Sequence, residues 1–157
     1  MNRYILLVIT LAIVAFFFYR ANANKEAAKI NIAKGADFLA TNKQVEGVIE
    51  TASGLQYQVL TTGEGDEHPT STSKVKVHYH GTMIDGTVFD SSVERGEPIS
   101  FGLNQVIKGW TEGVQLMVVG EKTRFFIPSS LGYGNSAAGK IQPGSVLIFD
   151  VELLAID

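Results

Sequence analysis

Cysteine is absent from the chain, which excludes disulfides, thiol nucleophiles and thiolate metal sites together. That absence fixes no compartment, because an oxidising compartment permits disulfides without requiring them. Basic charge is also scarce: 13 Lys and Arg stand against 16 Asp and Glu, a formal net charge of −3, with no basic tract after the N-terminus. A nucleic-acid partner is therefore excluded from the reading. No phosphate-cradling loop or nucleophile–base motif offers itself, so no cofactor is implied. What is abundant is apolar surface, 45% of residues against 18% charged, with 16 glycines to make turns. In 157 residues this suits one ordinary globular domain and some extra chain.

The extra chain comes first. After Met1-Asn2-Arg3, residues 4–19 read YILLVITLAIVAFFFY without a charge. As a helix they would span about 24 Å, slightly short of a hydrocarbon core of ~30 Å, with flanking residues able to extend the reach. Arg3 supplies the positive flank of an export signal and Ala21-Asn22-Ala23 fits a small-x-small cleavage pattern, whereas Phe16-Phe17-Phe18-Tyr19 and Arg20 oppose cleavage. Residues 1–23 are read as a signal peptide or, on balance, a retained signal anchor in an inner membrane, with the rest of the chain on the periplasmic side. Cleavage after Ala23 would make the protein soluble and periplasmic. Residues 24–46 carry Ala28, Ile32, Ala36 and Leu39 at helical spacing, the pattern of a solvated helical spacer.

From Gly47 the pattern turns mainly to β. Leu55, Tyr57 and Val59 alternate, as do Val75, Val77 and Tyr79; Asp85-Gly86 marks a hairpin returning through Thr87-Val88-Phe89; Ile99 to Phe101, Thr123 to Ile127 and residues 145–156 are further strands. Trp110, Val114 and Met117 fall at i, i+4 and i+7, giving one short helix with a single apolar stripe that Gly120 stops. The packing this allows is an α+β domain, a twisted antiparallel sheet curled around that helix.

Residues 75–92, VKVHYHGTMIDGTVFDSS, hold the densest chemistry. His78-Tyr79-His80 invites a metal, but strand alternation puts the histidines opposite Tyr79, and neither a cysteine nor a suitable third ligand joins them. No metal site is assigned. Tyr79 and Phe89 lie on paired strands of one hairpin and can share an apolar cavity, with Asp90 at its edge. Spacing alone leaves a plainer alternative, in which both rings are core and Asp90-Ser91-Ser92 is a turn bonding backbone amides.

Motif order adds to this. VHYHGTMIDGTVFDSSVERGEPISF, QVIKGWTEGVQLMVVGEK, IPSSLGYG and VLIFDVELL, in that sequence, closely resemble the FKBP-type peptidyl-prolyl cis-trans isomerases, the family that binds tacrolimus and rapamycin. The resemblance runs over residues 47–157, and FLATNKQVEGVIETASGLQYQVL is similar to the bacterial Mip/FkpA-like branch. It implies a five- to six-stranded half-barrel around one short helix and a proline pocket with Trp110 as floor. Tyr79, Phe89, Asp90, Tyr133, Trp110 and Phe149 would be catalytic. Arg95, Ile99, Phe101, Gln105, Val106, Ile107 and Ile141 would bind substrate, with Arg95 also partnering Asp90.

Two departures are visible. Ile99 stands where many relatives have an aromatic wall residue, and the loop 134–143, GNSAAGKIQP, is short, with Lys140 and Gln142 in place of apolar or proline residues. The implied partners are proline-containing unfolded or exported polypeptides and macrolide inhibitors. The family branch's long dimerising helix is reduced here, which suits a monomer. The competing readings are an FKBP-fold chaperone or binding module with little turnover, and a membrane-tethered structural protein.

Overall fold

A computed structural model describes residues 3–157. Met1 and Asn2, the start of the expected charged flank, lie outside the described residues. The chain runs through α1 (Arg3–Asn42), β1 (Ile49–Glu50), β2 (Gln56–Thr61), β3 (Lys74–Met83), β4 (Val88–Ser91), α2 (Ser92–Arg95), β5 (Ile99–Gly102), α3 (Lys108–Val114), β6 (Lys122–Ile127) and β7 (Leu147–Ile156).

The sheet is antiparallel throughout, in the order β1-β2-β6-β7-β3-β4, with β5 also on β3. β3 is its hub. β7 pairs along the length of β3, while the opposite edge is divided between β5, on Lys74 to Val77, and β4, on His80 to Thr82. Register shifts at Lys76/Val77, Gly81/Thr82 and Val59/Thr61 add local twist, and the sheet curls around α3. The α+β half-barrel on a short helix is thus the architecture; it numbers seven strands with the two-residue β1 included.

Alternation places Val75, Val77, Tyr79, Phe125, Ile127, Leu147, Phe149, Val151 and Leu153 on the inner face, against Trp110, Val114 and Met117. The helix lies very close to β6. A Cβ on Gly109 would come within 2.6 Å of Ile127 Cγ2, and one on Gly113 within 2.6 Å of Phe125 Cε1. Glycine at these two points lets backbone meet side chains directly.

Three local expectations are corrected. α3 ends at Val114, and Met117 reaches the core through turn bonds from Leu116 N to Gly113 O and Met117 N to Val114 O. These turns preserve the apolar spacing, so the stripe reads longer than the helix. Second, Gln56 is fully buried and Val59 exposed in β2. The Gln56 amide lies beneath α1, donating to Leu39 O and Glu50 Oε2, each at 2.9 Å, and accepting from Asn42 Nδ2 at 2.8 Å.

Third, residues 24–42 do not stand free in solvent. They continue the apolar helix without interruption and lay a seam of Ala28, Asn31, Gly35, Phe38 and Asn42 on the domain, sharing Ala28 with the expected stripe and running one residue off it thereafter. Ile32 and Ala36 are exposed. Small and amide side chains make the seam, which hydrophobic spacing does not detect.

Candidate active site

Five aromatic rings from five elements meet edge to face. Trp110, in the first turn of α3 and 5% exposed, has its ring centre 5.3 Å from Tyr79 of β3, 5.2 Å from Phe149 of β7 and 5.4 Å from Phe101 of β5. Phe89 of β4 stands 5.2 Å from Phe149. Edge-to-face contacts at such separations are favourable beyond the area they bury. Gly81 makes the last one possible, since a Cβ there would lie 2.8 Å from the Phe89 ring and 2.9 Å from Phe149.

These rings enclose an open cavity of about 640 Å³. Ile99, Gln105, Val106, Ile107, Tyr133, Ala138 and Ile141 complete the lining, together with the partly exposed Asp90. Twelve of the residues expected for the site from sequence therefore stand together. Arg95 is the exception. It lies outside the cavity wall, bound to Asp90 and to the Tyr79 hydroxyl. Ala138 lines the wall and was not expected; as a small residue in a glycine-rich loop it carries no sequence signal.

The polar edge is a closed triangle. The Tyr79 hydroxyl donates to Asp90 Oδ2, Arg95 Nη1 donates to Asp90 Oδ1, and Arg95 Nη2 donates to the Tyr79 hydroxyl at 3.2 Å, its guanidinium 5.9 Å from the centre of the Tyr79 ring. Burial raises the Tyr79 pKa above the ordinary phenol value, and its bond to the Asp90 carboxylate raises it further. Burial alone would push Asp90 up, but the donors Tyr79 and Arg95 outweigh it and hold the carboxyl below its ordinary range. Near neutral pH the pair is a neutral phenol and an anion.

The triangle rests on two serines and two histidines. Ser92 Oγ accepts Tyr79 N–H at 2.7 Å in the gap between β4 and β5, and lies 2.7 Å from His78 Nδ1. Ser91 Oγ accepts Glu94 N–H at 3.1 Å as the N-cap of α2 and lies 2.8 Å from His80 Nδ1. Gly96 ends α2 at φ 74°. The histidines do face away from Tyr79, yet they are half-buried and bonded rather than solvated. Ser91-x-x-Glu94 before Gly96 is a capping-box spacing that marks this turn in the sequence.

A curled antiparallel sheet closed on a short helix, with an open aromatic-walled cavity between them, is the setting of the site. The chain belongs to the FKBP-type peptidyl-prolyl cis-trans isomerase family, whose model matches residues 65–154, and the model of the domain amino-terminal to such isomerases matches residues 9–59. It is 59% identical over 138 residues to the FKBP-type peptidyl-prolyl cis-trans isomerase FkpA of Aeromonas hydrophila, covering 88% of this chain and 51% of that one. It is 53% identical over 125 residues to the FKBP-type 22 kDa isomerase of Escherichia coli K12, covering 79% and 60%. It is 44% identical over 137 residues to the outer membrane protein MIP of Legionella longbeachae, covering 87% and 58%. The chain thus spans 51–60% of the length of these curated relatives. The crystal structure of FkpA from Escherichia coli superimposes with a TM-score of 0.86 at 40% identity, covering all of this chain and 74% of that one.

Proposed function

We propose that the cavity is a peptidyl-prolyl cis-trans isomerase site acting on proline-containing unfolded or exported polypeptides. The observation that carries the proposal is the wall of Trp110, Tyr79, Phe89 and Phe149, with Asp90 and Tyr133 among the residues lining the same cavity.

The X-Pro bond turns over a barrier of about 18–20 kcal/mol because amide resonance must be broken. Unaided, this takes tens to hundreds of seconds. The planar amide is more dipolar than the twisted one, so water favours the ground state. An aromatic pocket removes that solvation and binds the twisted form better, with no bond to the protein. Tyr133, 43% exposed at the rim, would donate to a substrate carbonyl. The Ile107 N–H, just before α3, has no intrahelical acceptor and is a second candidate donor. The Asp90 anion would hold the other polar end.

On this reading residues 47–157 form the isomerase domain, which works as a monomer in the cell envelope and is inhibited by tacrolimus or rapamycin. The N-terminal apolar helix is compatible with a signal or an anchor. Residues 1–23 are taken as a retained inner-membrane anchor with the domain on the periplasmic side, rather than as a signal cut after Ala23. The second reading, a binding or chaperone module with little turnover, is favoured by Lys140 and Gln142 in the loop beside the pocket. A protease-coupled X-Pro peptide assay on the full chain in detergent decides between them. Acceleration abolished by tacrolimus supports the isomerase; a rate equal to buffer at micromolar protein overturns it in favour of the module.

A further inference from the structure

Helix α1 does not end where its apolar run ends. Residues 3–23 are exposed on every side, and the same helix then docks on the domain. The docking contacts follow one another in order of distance from the apolar run. Ala28, 1% exposed, meets Gly144 first, so closely that a Cβ on Gly144 would lie 2.5 Å from the Ala28 carbonyl oxygen. Asn31 Nδ2 then donates to Pro143 O at 2.8 Å. Gly35 abuts Val146, where an added Cβ would be 2.7 Å from Cγ2. Phe38 follows on Phe126 at 6.1 Å between ring centres, and Asn42 closes the seam on Gln56.

The part of the domain held nearest the apolar run is therefore the loop after β6. The far side of that loop, Tyr133, Ala138 and Ile141, is one wall of the cavity. From Arg20 to Ala28 the helix rises about 12 Å. The segment 134–145, GNSAAGKIQPGS, holds one cation and no acid, and on the adjoining helix Arg20, Lys25, Lys29 and Lys34 outnumber Glu26 and Asp37, with Lys29 paired to Glu26 at 3.2 Å. That balance suits a surface carrying anionic lipid headgroups.

We propose that the pocket works at the bilayer surface. A rigid helix holds its rim roughly 10–20 Å above the headgroups, and the preferred substrates are prolyl bonds in chain close to that surface, beside a membrane span or emerging from the bilayer. This rests on the isomerase reading and on retention of residues 4–19. A flexible tether would let the pocket sample many heights, whereas a continuous helix concentrates pocket and substrate in one layer.

The test reconstitutes the full chain in phosphatidylethanolamine/phosphatidylglycerol vesicles. X-Pro peptides are coupled to lipid through helical spacers of increasing length. The expected kcat/KM peaks with the proline roughly 10–20 Å from the surface, about 10-fold above that for the same peptide free in solution. Inserting seven helix-forming residues between Ala23 and Asn24 should move the optimum outward by about 10 Å and leave the free-peptide rate unchanged. Rates indifferent to proline height, an optimum unmoved by the insertion, or membrane-recovered chain beginning at Asn24 would each overturn the proposal while leaving the isomerase reading intact. Failure to accelerate even the free peptide would remove the isomerase reading and the proposal with it.

Discussion

Asp90 is held by two donors that also hold each other, which makes its charge state predictable. Its folded pKa lies below the ordinary carboxylate value. Its contribution to stability is therefore complete above about pH 4, the unfolded value, and is lost as pH falls through the lower folded value. Tyr79 is raised above the ordinary phenol value by burial and so remains a neutral donor throughout the neutral range. Neither group should change charge across the neutral range, so unfolding midpoints of wild type and Asp90→Asn should diverge above about pH 4 and converge below it. Tyr133→Phe removes a rim donor worth about 0.5–1.5 kcal/mol, so kcat/KM should fall about 2- to 10-fold with little change in Tm. Ser92→Ala strips the acceptor from the buried Tyr79 N–H. It should cost about 1–3 kcal/mol in denaturant unfolding. An unchanged midpoint would show that the gap between β4 and β5 is satisfied some other way.

At the scale of elements, period-two alternation identified β3 and β7 because each buries one clean face, and it offered Tyr79 and Phe89 as neighbours in one cavity; the rest of the wall was legible only through the resemblance of the ordered motifs. The Trp110–Val114–Met117 stripe located α3 but overstated its length, since turns can carry an apolar spacing onward. The α1 seam was not legible. Its contacts run through Gly35, Asn31 and Asn42, residue types that read as solvated or as helix-weakening. The histidines were half legible: alternation gave their face, but only the fold brings Ser91 and Ser92 against them. Close approach, rather than hydrophobicity, also governs α3 on β6. Gly113→Ala should force the Phe125 ring aside and destabilise by about 1–3 kcal/mol, read from thermal or denaturant unfolding. Val114→Asp, placing an unpaired charge at a fully buried position, should prevent folding.

The whole molecule joins an exposed apolar helix to a pocket domain through one continuous seam. N-terminal sequencing of fractionated cells should find an intact Met1 in washed membranes; a soluble chain starting at Asn24 would show cleavage. The central claim is that the aromatic cavity is the place where prolyl bonds turn. Trp110, the single tryptophan, is both its floor and a built-in reporter. The most direct test titrates the full chain with tacrolimus while Trp110 emission and the X-Pro isomerisation rate are followed in the same samples. One shared curve is expected, with emission changing and catalysis falling together and both complete at one inhibitor per chain. Isomerisation that persists after Trp110 emission has saturated would contradict it.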